Sequence, residues 1–187
     1  MAPHPRKLIR ADMVSILKAA IPGDPVTYPT RAGLRVFDSA DSPPHEDDPE
    51  SINVYMVGEE IDPEYGDQDG VRRRIMEVRV ECYYAGGDGG EIVDEMAWQV
   101  ENALRANPTI NNKVEWCRLL NTNVFFVEST KLALFAAVMT WQVVYYTHEY
   151  VDDGGRPTIV LLGFAPDIGP GHEPDYSEIL REPEEVL

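Results

Sequence analysis

Residues 71–107, VRRRIMEVRVECYYAGGDGGEIVDEMAWQVENALRAN, admit one simple local reading: a strand, a glycine turn and a helix. Met76, Val78, Val80, Cys82 and Tyr84 alternate with Glu77, Arg79, Glu81 and Tyr83. A period of two puts the first set on one face of a strand and the charged set on the other. Further on, Ile92, Met96, Val100 and Leu104 recur every fourth residue, flanked by Val93, Ala97 and Ala103. That is an apolar stripe at helical spacing. Asp88 is placed to cap the helix, Glu91, Asp94 and Glu95 sit where its dipole favours negative charge, and Asn107-Pro108 ends it. Each stripe needs an apolar partner, so the strand and the helix are expected to pack on each other. Nothing in the unit is chemically reactive.

The rest of the chain is read around this unit. Residues 6–21, RKLIRADMVSILKAAI, form a first amphipathic helix with Ile9, Met13, Ile16, Leu17 and Ala20 on its apolar face, ended by Pro22-Gly23. Residues 33–37 and 52–57 (INVYMV) are short strands. They are separated by the proline-containing acidic loop 38–51 and followed by a second acidic loop, 59–70. After Pro108, one strand falls within 114–128 and another within 132–148, with Ser129-Thr130-Lys131 as their turn. The last strand is apolar on both faces, which suits a central position. About 15 residues at ~3.3 Å each span roughly 50 Å, more than a small domain covers. The strand therefore bends at a bulge, or its hairpin projects and another chain covers it.

The expected fold class is α+β. It has a largely antiparallel or mixed sheet of four to five strands, two main helices on one face, and an extended C-terminal arm. The expected domains are 1–150 and an acidic, Pro/Gly-rich arm, 151–187, whose apolar cluster 158–164 docks on its own domain or a neighbour.

Charge bounds the function. The net charge is −17, from 33 acidic and 16 basic residues. Residues 38–70 hold twelve acids and no base, and residues 151–187 hold nine acids against two bases. Tight nucleic-acid binding needs clustered Lys and Arg and is disfavoured, whereas an acidic surface lets DNA slide past. The two cysteines, Cys82 and Cys117, have no zinc-type spacing, and Cys82 reads as a buried reduced thiol. The N-terminus has no signal-type apolar run, and the most apolar stretch, 132–146, is shorter than the roughly 20 residues a membrane helix needs. The expectation is a soluble protein made inside the cell.

Candidate sites are few. The Gly-rich turn 84–91 has the position of a phosphate loop, but it lacks a Walker lysine and a complete GxGxxG and is ringed by acids. It reads as a flexible turn. Asp62, Glu64, Asp67 and Asp69 carry part of a calcium-loop rhythm, out of register for an EF-hand, and read as a solvated acidic loop. His148-Glu149 is not followed by a second histidine, no GxSxG occurs, and neither cysteine has a patterned histidine partner. No catalytic residue, cofactor or metal is expected. Arg72-Arg73-Arg74 has two readings: it offsets Asp67 and Asp69 where its strand begins, or it meets an acidic loop of a neighbouring subunit.

Three features carry a family resemblance: LIRADMVSILKAAIP with INVYMV further on, the strand–turn–helix ending in ALRANPTI, and the closing strand running into VVYYTHEY. Over about residues 6–150 their order resembles the tail terminator (tail completion) proteins of long-tailed bacteriophages and prophages. The resemblance implies a non-enzymatic virion protein that forms a homo-oligomeric ring, usually hexameric. Such a ring caps the tail tube, stops its polymerisation and joins the head-completion, or stopper, protein, while DNA passes through the lumen without specific binding. It implies assembly in the host cytoplasm, a final place in the tail or neck, and no membrane. On this reading the loops 38–51 and 59–70 face the lumen or tube. Arg72, Arg73 and Arg74 together with Glu59, Glu60, Asp62, Glu64, Asp67 and Asp69 are the expected interface residues. Another head–tail connector or tube subunit is the near alternative; an acidic calcium- or partner-binding module is an alternative of another class.

Overall fold

The computed structural model describes residues 3–20, 23, 27–40, 49–65, 70–87, 89–128, 133–148, 159–162 and 177–181. The chain divides into two units, Met1–Glu149 and Tyr150–Leu187.

The first unit is α+β. Helix α1 (Pro5–Lys18) is capped by the His4 side chain, whose Nδ1 accepts from the Arg6 N–H. It stops at Ala19, short of the expected Ile21, because Ala19 is already extended. Strand β1 (Val36–Asp38) begins three residues later than expected, since Gly33 lies at φ +56° in the preceding turn. Strands β2 (Glu50–Ile61) and β3 (Val71–Ala85), helix α2 (Gly89–Arg105), and strands β4 (Trp116–Glu128) and β5 (Ala133–His148) complete the unit. The order across the sheet is β1-β2-β3-β5-β4. β1 runs parallel to β2, and every other pair is antiparallel, so the sheet is mixed. The expected cap at Asp88 and turn at Ser129–Lys131 lie outside the described residues.

The period-two reading of β3 holds: Met76, Val78, Val80 and Cys82 are fully buried, and the intervening residues are not. Ile52 and Val54 of β2 and Ala137, Met139, Trp141, Val143 and Tyr145 of β5 share that face. Both helices cover it, α1 through Ile9, Met13 and Leu17, α2 through Val93, Met96, Val100 and Leu104. Each such side chain taken from water contributes about 1.5–3 kcal/mol, so this layer dominates the stability of the unit. β5 lies between β3 and β4, the central position that its apolar sequence suits.

One assignment is corrected. Glu59 and Glu60, expected in a loop, belong to β2. A register shift between Met56 and Gly58 inserts Val57 as an extra residue, and the ladder then continues through Glu59↔Met76 and Ile61↔Arg74. A matching shift between Leu119 and Asn121 bulges β4 at Leu120. The two bulges lie on one row across the sheet, because Val78 pairs with Trp141 between them. β5 itself keeps an unbroken register with β3, so the bulge expected in the long last strand is instead found in its neighbour β4. Residues 121–126 of β4 are all exposed, although their β5 partners Ala136, Ala137 and Met139 are buried.

In the second unit, β6 (Ile159–Leu162) pairs antiparallel with β7 (Ser177–Arg181). The apolar cluster expected at 158–164 thus supplies a strand of a two-stranded sheet.

Candidate functional site

Of the expected interface residues, Glu59, Asp62, Arg73 and Arg74 converge on one end of the sheet, where β2 ends, β3 begins and β5 finishes. Consecutive residues of a strand point to opposite faces. Arg73 and Arg74 therefore reach different carboxylates.

On the helix-covered face, Arg74 Nη1 donates to Glu59 Oε1 at 2.6 Å and its Nε donates to Thr147 Oγ1 at 2.7 Å. The Tyr145 hydroxyl donates to Glu59 Oε2 at 2.5 Å, and Arg6 of α1 lies 3.8 Å from Oε1. The Glu59 side chain is only 8% exposed, so its charge is held inside the protein by these groups. Burial first, then the bond to Glu59, raises the Tyr145 pKa above the ordinary tyrosine value.

On the open face, Arg73 Nε donates to Glu115 Oε2 at 2.9 Å and its Nη1 pairs with Asp62. The Tyr146 hydroxyl also donates to Glu115 Oε2, at 2.7 Å, and its ring meets Tyr65 edge-on at 5.5 Å. The Glu115 carboxyl is held below its ordinary range by Arg73 and then Tyr146. Asp62 is held low by the Glu64 backbone N–H and then Arg73. The bond to Glu115 is in turn the largest reason that the Arg73 guanidinium holds its proton more tightly than usual.

Of the expected set, Glu59, Asp62, Arg73 and Arg74 are thus brought together, with partners inside the same chain. The acids that Arg73 and Arg74 hold are Asp62, Glu115 and Glu59. Glu60 and Glu64 are exposed, Arg72 is half-buried, and Asp67 and Asp69 lie outside the described residues. The partners that sequence reasoning missed are Arg6, Glu115, Tyr145, Tyr146 and Thr147. Only the parity of Tyr145 and Thr147 on the long strand hinted at their side.

Chemically, this end of the sheet is a brace. Among the described residues, no group of three or more His, Cys, Asp or Glu side chains is placed to hold a metal ion. The thiols of Cys82 and Cys117 are buried and pushed up to about 12, far from the reactive thiolate form. A shallow depression of about 270 Å³ on the open face is walled by Val57, Ile75 and Leu120, with Glu77 and Gln142 beside them. Among the described residues, no helix is long and apolar enough to cross a membrane. No protein-family model matches this chain, and no curated protein matches it in sequence.

Proposed function

We propose that this chain is a structural assembly protein of the tail-terminator type. It forms a homo-oligomeric ring that caps a phage tail tube, ends its polymerisation and provides the head–tail joining surface, with DNA passing through the lumen. The observation that carries the reading is the outer half of β4. Residues 119–127, LLNTNVFFV, contain no charge in a chain of net charge −17. Leu120, Val124, Phe125 and Phe126 of this edge strand are each about half exposed. Monomeric proteins protect a sheet edge with lysines, prolines or a covering element, and an unprotected apolar edge invites another chain.

Two further features support it. The carboxylates of Glu59, Asp62 and Glu115 are tied to arginines within the chain, where they stiffen the fold. The surplus acids on the surface give a lumen wall that repels the DNA backbone and binds no sequence. In this reading the protein acts by shape, without catalysis, and its place is the neck of the particle.

Mass measurement with negative-stain imaging, and addition of the protein to isolated tail tubes, test the proposal. Closed rings, or tubes that stop growing when the protein is added, are expected. A protein that stays monomeric and leaves tube growth unchanged overturns it.

A further inference from the structure

Among the described residues, the sheet has a second uncovered edge at its other end. β1 covers β2 only from Ile52 to Val54. Among the described residues, β2 from Tyr55 to Ile61 has no strand on its outer side. Val57 and Ile61 on that stretch are each 45% exposed. Twelve large hydrophobic residues are exposed in the described part of the chain, and six of them lie on β2 and β4. Half of the exposed large apolar residues thus lie on the two strands that flank the β3–β5 centre of the sheet, with Val57 and Leu120 turned to the open face.

We infer that the outer edge of β4 in one copy pairs with the outer edge of β2, residues 55–61, in the next copy, so that the sheets join head to tail. The inference rests on the ring reading and names the contact that builds the ring. The occupant is a second copy because the two edges match: among the described residues both lack a strand on the outer side, both carry exposed apolar side chains, and they lie on opposite sides of the same sheet. A contact between two different surfaces of one protomer repeats, and it closes into a ring when the rotation allows. Strand direction fits as well. Three antiparallel steps separate β2 from β4, so the two run in opposite directions. Rotation about an axis along the strands preserves direction, so β4 meets the neighbour's β2 antiparallel, with regular perpendicular hydrogen bonds.

Cysteine pairs linked by a flexible bis-maleimide test the contact in the full chain at high protein concentration. Thr122→Cys on β4 and Val57→Cys on β2 are made singly and together, and the buried Cys82 and Cys117 stay silent. The double variant is expected to give a ladder of covalent oligomers and each single variant none. Val124→Lys with Phe126→Lys is expected to weaken self-association by about tenfold or more while circular dichroism stays native. Dimers from Thr122→Cys alone would show β4 meeting β4 and overturn the inference. Oligomers that form and resist cross-linking in the double variant would overturn it while leaving the ring reading intact. A protein that is monomeric at every concentration, with or without the lysines, would also overturn it, and tube capping then decides the ring reading separately.

Discussion

Arg73 and Arg74 are adjacent in the chain and hold carboxylates on opposite faces of the same sheet, Arg73 through Glu115 and Asp62, Arg74 through Glu59. Two charges of one sign are accommodated side by side because the pleat sends each to its own acid. The arrangement closes three strand ends at once, and its two halves differ in burial.

That difference predicts unequal costs. Arg74→Met leaves the Glu59 carboxylate inside the protein with Tyr145 and a distant Arg6, and it should cost about 2–4 kcal/mol. Arg73→Met leaves Glu115, whose side chain is 37% exposed, open to water, and only Asp62 largely covered, so its loss should be smaller. Urea unfolding of the two variants checks this, and equal midpoints would contradict it. Adding Glu59→Gln to Arg74→Met should recover part of the loss, because the unpaired charge is then gone.

Acid should weaken the open-face half. The folded-state values of Asp62 and Glu115 lie below the ordinary 3.8 and 4.5, so at low pH the unfolded chain binds more protons and stability rises with pH. The contribution is complete above the ordinary values and is lost as pH falls through the lowered ones. The chain carries 33 acids in all. The informative quantity is therefore the gap in unfolding midpoint between wild type and Asp62→Asn/Glu115→Gln, which should narrow from neutral pH toward acid. A gap that is constant on acidification would refute the assignment.

Gly89 opens α2 directly against the Phe135 and Tyr84 rings, and a Cβ there would overlap both. Gly89→Ala should cost about 1–3 kcal/mol through overpacking. Gly87, two residues earlier, has open space around its Cα. Gly87→Ala should stay within about 0.5 kcal/mol. Thermal unfolding of the pair separates a steric cause from a general intolerance of the turn.

Ile110, Asn111 and Asn112 are three consecutive residues in the left-handed region, at φ 43°, 57° and 61°. The turn is held by Asn107, which accepts from the Asn111 N–H at 3.0 Å and donates to its side chain at 2.8 Å. Asn112→Ala should destabilise by about 1 kcal/mol relative to Asn112→Gly, since both variants lose the same side-chain contact to Thr109 and only alanine meets the steric penalty of positive φ. Equal stabilities would show that this turn relaxes.

Cys82 and Cys117 should resist a thiol reagent at neutral pH until denaturant is added. Both are buried, and burial disfavours the thiolate. Rapid labelling of Cys82 in the native protein would contradict its place on the covered face of β3.

Much of the fold was legible because burial leaves a local trace. The alternation from Met76 to Cys82 and the four-residue recurrence from Ile92 to Leu104 each mark one covered face, and each face is where it was expected, with Ile92 itself only partly covered. The acidic run after Val57 was misread because a bulge is nearly silent in sequence. One extra residue at Val57 carries the strand on to Ile61, where composition suggested a loop. The candidate site was legible only as a list of charges. The dense acids between residues 59 and 70 and the three arginines after them announced an electrostatic feature without naming the partners.

What the sequence by itself determined is the order of the main strands and helices and which side of each turns inward, though not where each ends, because periodicity is a property of neighbouring residues. What only the tertiary structure decided is who meets whom. Glu59 is joined to Tyr145 across 86 positions, and Arg73 to Glu115 across 42, because β5 inserts between β3 and β4. That strand order is set by many weak contacts summed over the whole sheet, and no single stretch of chain records the sum.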